Sequence, residues 1–267
     1  GVPDGLNHYY DLCEKADKNI SPEFKVFHWT TAEIFPQMAE AAKKVMSIKQ
    51  YKQEFEASFE TASGRIYEEY SSANQTDEKI QDHEQLLWYH DFNYTPLSSG
   101  VGVKRGDDYY LLEEIVLVSA VALNSAKEFV ERYKNHKNKR VIIYGDPAGK
   151  AGEKHSQASD YTDIEKELRD NGWSYKRKVR SKAMSIKDSQ NALRAKIKSA
   201  AGKVSIYVNA ANAPYTHKGL STVQLKLGST FLEEESEYQH ITTAIRYMMD
   251  YEHPVIKSVT TAQRMIV

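Results

Sequence analysis

A lone cysteine, Cys13, in 267 residues excludes any disulfide within the chain and leaves a cysteine-based zinc site without ligands. That usage fits a reducing, cytosolic compartment. Long apolar runs are also missing: none approaches the roughly 18 residues that a membrane-spanning helix needs, so no membrane partner is expected. The opening Gly1-Val-Pro-Asp-Gly5 lacks the charged and apolar regions of a secretory signal. Net charge is nearly absent, with 36 Lys and Arg against 37 Asp and Glu, for a formal total of -1. A balanced total neither favours nor excludes nucleic acid; the distribution of the charges decides. Internal repeats and low-complexity stretches are missing. So is a nucleotide-hydrolysing loop. Gly145 to Lys150 imitates one, but its spacing is a residue short and Ala151 stands where Ser or Thr is needed.

Hydrophobic residues make up 40% of the chain and aromatics 11%, enough for a sizeable core. Residues 1–62 read as helices and loops, with helical apolar spacing in Ala39–Ile48 and Tyr51–Phe59 but no self-contained core. Residues 63–84 are polar and acid-rich and read as a connection. From residue 85 onward the pattern becomes regular. Leu86–Asp91, Gly100–Lys104 and Tyr109–Val118 read as three strands, the last two joined by a turn at Gly106-Asp107-Asp108. Ala126–Tyr133 reads as a helix, Arg140–Gly145 as a strand, Asp160–Asn171 as a helix and Ser174–Val179 as a strand. Then come a helix over Ser185–Ala200 with Ser185 as N-cap, a strand over Lys203–Val208, and helices over Gly219–Lys226 and Ser236–Tyr251. An antiparallel three-strand meander followed by alternating helices and strands is the order of a ribonuclease H-like α/β fold, with a mixed sheet flanked by helices.

Two aspartates end strands in this reading: Asp91 in His90-Asp-Phe-Asn-Tyr-Thr-Pro96 and Asp146 in Tyr144-Gly-Asp-Pro-Ala-Gly149. Each on its own is ordinary turn chemistry. If the two strands are neighbours, both carboxylates emerge at one sheet edge, where their repulsion is relieved by a cation between them. Hard oxygen donors favour Mg²⁺ or Mn²⁺, and two such ions about 4 Å apart suit phosphodiester hydrolysis. His240 opens the last helix and could face the same edge as a further ligand, or be a satisfied, partly buried histidine. His155, after the glycine-rich stretch, reads as a loop residue. A basic run holds Lys176, Arg177, Lys178, Arg180 and Lys182 and continues through Lys187, Arg194, Lys196 and Lys198 to Lys203, with Asp188 its only acid. Such a run either grips DNA phosphates with little sequence preference or forms a solvated face. Trp173 and Tyr175 flank it, as DNA contacts or as core residues.

These residues resemble the nuclease domain of the large terminase subunits of tailed bacteriophages, over about residues 85–255 and in the family's order. Asp91 looks like the family's first metal-binding aspartate and Asp146 like its second acidic ligand. Ser181–Ile197 resembles the segment before the last strand, and His240–Tyr247, with Pro254 beyond it, the final helix. Gly5-Leu-Asn-His-Tyr-Tyr10 and Tyr51-Lys-Gln-Glu-Phe-Glu56 resemble the end of the terminase ATPase domain and its exit toward the nuclease. The resemblance implies three parts: a helical remnant of the ATPase domain at 1–62, a linker at 63–84 and a nuclease domain at 85–267. It also implies a metal-dependent endonuclease with Mg²⁺ or Mn²⁺, as two ions, held by Asp91, Asp146 and His240, that cuts double-stranded phage DNA during packaging in the host cytoplasm. Its partners would be DNA, its own ATPase domain, the portal protein and the small terminase subunit.

One position departs from the family, which usually carries an aspartate three residues after the histidine. Here Thr243 stands there, a poorer ligand. Asp250 lies two turns further along that helical face, about 10 Å away at 1.5 Å per residue, and Glu237 one turn before His240. The alternatives are a DNA-gripping or portal-docking module with a degraded cleavage site, and another nuclease of the same fold, of the junction resolvase or transposase type.

Overall fold

The computed structural model describes residues 8–18, 23, 25–58, 64–92, 96–147, 160–182 and 185–255. His155 lies outside them. Four short helices come first: α1 His8–Asp17, α2 Thr31–Ile34, α3 Pro36–Lys43 and α4 Ile48–Phe55. The sheet is built from β1 Leu86–Asp91, β2 Leu97–Arg105, β3 Asp108–Leu117, β4 Arg140–Gly145, β5 Ser174–Arg177 and β6 Ile206–Val208. Between and after these strands lie α5 Ala122–Arg132, α6 Asp160–Asp170, α7 Ile186–Ile197, α8 Pro214–Thr222 and α9 Gln239–Glu252.

The strand order is β5-β4-β1-β2-β3-β6. β1, β2 and β3 form the antiparallel meander, while β4 runs parallel to β1, β5 to β4 and β6 to β3. Each parallel crossover places a helix on one sheet face, so the central strand β1 is buried along its whole length. Alternation sorts its side chains between two cores. Leu86 and Trp88 point into the layer under α5 and α6, with Phe129, Ile164 and Leu168. Leu87 and Tyr89 point into the layer under α7, α8 and α9, with Leu193, Leu220, Ile245 and Met248.

The strand and helix order expected from the sequence is the observed one, and the boundaries shift for identifiable reasons. β2 begins at Leu97, three residues early, because Ser98 and Ser99 pair with Asp91 and His90. The expected helix at 219–226 lies instead at Pro214–Thr222, started by Pro214 at its first turn. Val223 to Leu225 leave the helix and pair with residues 64–66. The last strand shrinks to Ile206–Val208, since Lys203 closes a turn with Ser199. Within 63–84, Ile66, Tyr67 and Tyr70 are buried in the α7–α9 layer. The N-terminal helices gather a small cluster of Ala39, Ala42, Tyr51 and Phe55, against which Ala200 packs.

Candidate metal centre

The parallel pairing of β1 with β4 sets His90 beside Gly145. The next residue on each strand is Asp91 and Asp146, so the two carboxylates leave the sheet at adjacent positions, roughly 5 Å apart in strand spacing. Alternation sends both to the face covered by α9: Asp91 follows Leu87 and Tyr89, and Asp146 follows Ile142 and Tyr144. Asp91 is only 5% exposed. His240, the second residue of α9, brings its ring Nδ1 to 3.1 Å from Asp91 Oδ2. Tyr247, two turns further along the same helix, stands near Asp146, whose charge acts on its hydroxyl. Burial is the main reason its hydroxyl is held above the ordinary phenol pKa, and the nearby charges of Asp146 and Asp91 add to it. The Tyr161 hydroxyl donates to the Asp146 carbonyl at 2.9 Å and fixes the strand end.

Two further residues escaped the sequence reading. Ser98 lies directly across from Asp91 on β2, fully buried, and its hydroxyl has no hydrogen-bond partner among the described residues. Tyr247 could have been found from its spacing, because seven residues after His240 is nearly two full turns and returns to the same helical face. His90 is a neighbour in sequence only. It points to the other face, its ring lies between Trp88 and Phe92, and burial pushes its pKa down to about 3, which keeps it neutral.

The substitutes weighed for the missing aspartate are otherwise engaged. The Thr243 hydroxyl accepts from Arg246 Nη2 at 2.7 Å. Asp250 is 2% exposed and ion-paired with Arg180 at 2.7 Å. Glu237 precedes α9, is exposed, and accepts from the Tyr215 hydroxyl at 3.3 Å. Among the described residues no group of three or more His, Cys, Asp or Glu is disposed to hold a metal ion. By donor type the edge suits a hard divalent cation: two carboxylates at adjacent strand ends, one of them buried, with an imidazole against it.

The basic run is dispersed by the fold. Arg177 pairs with Glu165 at 3.0 Å, Lys178 with Glu252 at 2.6 Å and Arg180 with Asp250. Lys176 and Lys182 are exposed. Because β5 runs parallel to β4, the chain leaves β5 at the end of the sheet that carries Asp146, but Lys178 and Arg180 turn to Glu252 and Asp250, at the end of α9 opposite His240. Further along the run, Arg194 is buried and donates to the Ile66 carbonyl at 2.6 Å. Trp173 is a core residue packed on Phe129, and Tyr175 packs against the same cluster.

No protein-family model matches the chain, and no curated protein matches it. Among solved structures, the large terminase of a thermophilic bacteriophage superposes with a TM-score of 0.64 at 15% identity, over 93% of this chain and 60% of that one. The same terminase in complex with ATP-γ-S gives 0.63 at 15% identity, over 94% and 61%. The P22 large terminase nuclease domain gives 0.50 at 15% identity, over 72% of this chain and 94% of that domain. The fold is therefore the ribonuclease H-like fold of these structures, and the chain spans about three fifths of the length of the thermophilic phage's terminase. No helix of the described residues is long and apolar enough to cross a membrane.

Proposed function

We propose that the chain is the nuclease-bearing part of a large terminase subunit, a divalent-metal-dependent endonuclease that cuts double-stranded phage DNA at packaging. The observation that carries this reading is the emergence of Asp91 and Asp146 at adjacent ends of parallel strands, on one face, with His240 against Asp91. Asp91 and Asp146 would hold Mg²⁺ or Mn²⁺, as two ions, and His240 would complete the donor set. When bound, such ions activate a water and neutralise charge on the phosphate. Tyr247 would orient the Asp146 carboxylate, Tyr161 fixes the backbone beneath it, and His240 sets the orientation of Asp91. Lys176 and Lys182 are exposed and would meet DNA phosphates. Arg177, Lys178 and Arg180 would do so only by leaving their carboxylate partners. The ATPase domain, the portal protein and the small terminase subunit are the proposed partners, the host cytoplasm the proposed location, and 1–62, 63–84 and 85–267 the proposed division of the chain.

Thr243 supports a second reading. Its hydroxyl is taken up by Arg246, which leaves the site with two firm carboxylates, as in a degraded centre. On that reading the chain grips DNA or docks on the portal without cutting.

Nicking of supercoiled plasmid in EDTA, Mg²⁺ and Mn²⁺ separates the two. Metal-dependent cutting by the unaltered chain, abolished by Asp91→Ala and by Asp146→Ala, is the expected result. DNA binding with no cutting in any metal would leave the second reading standing and remove the first.

A further inference from the structure

A cavity of about 400 Å³ lies at the far end of the sheet from Asp91 and Asp146. It opens where the loop after α3 meets α7 and the end of α9. Met46, Ala192, Ala195 and Val255 give it an apolar wall, and Lys44, Lys196 and Lys203 also line it. The helix α9 separates the two places: His240 to Glu252 is twelve residues, about 18 Å along the axis.

The charge at this cavity is one-sided. Lys196 is half-buried, and its ammonium has no partner among the described residues. Its pKa is lowered, first by burial and then by repulsion from Lys203 and Lys104, with Asp107 and Asp108 as weaker compensation. Glu252 also lines the cavity, but it is held by Lys178 at 2.6 Å and by the Tyr144 hydroxyl at 2.8 Å. His253 is pushed down to about 4, mainly by burial and then by Lys196 and Lys104. It is therefore neutral, with its Nε2 at 2.9 Å from the Tyr109 hydroxyl. A half-buried cation among other cations is unfavourable until an anion joins it. The cavity has the size of a small-molecule site, for which roughly 300–1,000 Å³ is usual.

We propose that this cavity binds a small organic phosphate of nucleotide size. The phosphate lies between Lys196, Lys203 and Lys44, and the apolar part of the ligand lies against Met46, Ala192 and Val255. The occupant bridges the N-terminal helices and the sheet domain, which already touch through Ala200 N to the Met46 carbonyl at 2.8 Å and Ala201 N to the Lys43 carbonyl at 2.9 Å.

The test is titration calorimetry of the whole chain with AMP, and separately with inorganic phosphate, in EDTA so that no metal-bridged binding at the Asp91 edge contributes. AMP is expected to bind with a Kd on the order of 10–100 µM and phosphate about tenfold more weakly. Lys196→Gln should weaken AMP about tenfold, and Asp146→Ala should leave it unchanged. Because Lys196 is half-buried, Lys203→Gln at an exposed position serves as the second variant, with circular dichroism confirming that both are folded. Absence of AMP binding, or equal binding by both lysine variants and the unaltered chain, would overturn the site. Equal affinity for AMP and phosphate would overturn the nucleotide-sized ligand. None of these results depends on whether the chain cuts DNA.

Discussion

Tyr247 stands beside the side chain that the proposed chemistry needs most tightly oriented, Asp146. Tyr247→Phe keeps the ring and its packing and removes only the hydroxyl that faces that carboxylate. Partners of metal-binding carboxylates typically contribute about 10–100-fold in affinity or activity. We therefore expect plasmid cutting by Tyr247→Phe to fall by about that factor, with higher metal concentration recovering part of it and with an unchanged melting temperature. Full activity at low metal would remove Tyr247 from the site. Asp250 makes a second residue-level prediction. Burial raises its carboxyl from 3.8 to about 6, against the opposing pull of Arg180. Between those two values the folded chain binds the proton and the unfolded chain does not. The residue's contribution to stability therefore falls as pH rises through that window, and above about pH 6 its cost is complete, on the order of 1–3 kcal/mol. Asp250→Asn is neutral throughout and leaves the Arg180 bond to the Asp250 carbonyl in place. The melting temperature of the variant relative to the unaltered chain should rise from pH 4.5 to pH 7.5. A constant gap would show that Arg180 fully offsets the burial.

Helix starts show what could be read from the sequence and what could not. Ser185 precedes α7 and accepts from Asp188 N at 3.1 Å, a local contact that the sequence announces. Apart from Pro214 in its first turn, the start of α8 has no local cap to announce it, because its cap comes from Glu114, a hundred residues earlier on β3. That carboxylate accepts Tyr215 N at 2.7 Å, Thr216 N at 2.9 Å and the Thr216 hydroxyl at 3.0 Å. It sits at the positive end of the helix dipole while burial pushes its pKa up. Local pattern therefore placed α7 correctly and placed α8 five residues too late. The same division holds at the candidate centre. Asp91 and Asp146 were legible because strand ends are local features, and Tyr247 shares the helical face of His240, whereas the closeness of Ser98 depends on how β2 pairs with β1. The engagement of Arg177, Lys178 and Arg180 in ion pairs was hidden for the same reason, since their partners Glu165, Glu252 and Asp250 are set by tertiary packing. Urea denaturation should separate the two caps: Ser185→Ala is expected to cost about 1 kcal/mol and Glu114→Ala about 2–3 kcal/mol. Equal costs would mean that the long-range cap adds nothing beyond an ordinary local one.

The fold also says where the chain can be shortened. Residues 63–84 read as a connection from their polar composition, yet this stretch is stitched into the sheet domain at several points. Ile66, Tyr67 and Tyr70 are 1%, 0% and 4% exposed within the α7–α9 layer. The Ile66 carbonyl accepts from buried Arg194, and Asn74 Nδ2 donates to the carbonyls of Ile197 and Ile206 at 2.9 and 3.0 Å. Gln75 bridges to Val208, alongside the short outer strand β6. Each buried aromatic or aliphatic side chain contributes about 1.5–3 kcal/mol, and stranding Arg194 without its carbonyl adds to the loss. Together these approach the roughly 5–15 kcal/mol that holds a typical domain folded. Among the described residues, the helices before residue 59 meet the rest through the small cluster around Tyr51 and Phe55, against which Ala200 packs, and through backbone contacts of Lys43, Met46 and Ser47 with residues 199–201. A chain beginning at Gly64 should therefore melt cooperatively, a few degrees below the full chain, and keep any metal-dependent cutting of plasmid. One beginning at Gln85 should show no cooperative melt by circular dichroism. Cooperative melting of the shorter chain would make 63–84 a true linker. Failure of the longer one to fold would make the N-terminal helices an integral layer of the domain, with the lysine-lined cavity part of what holds them there.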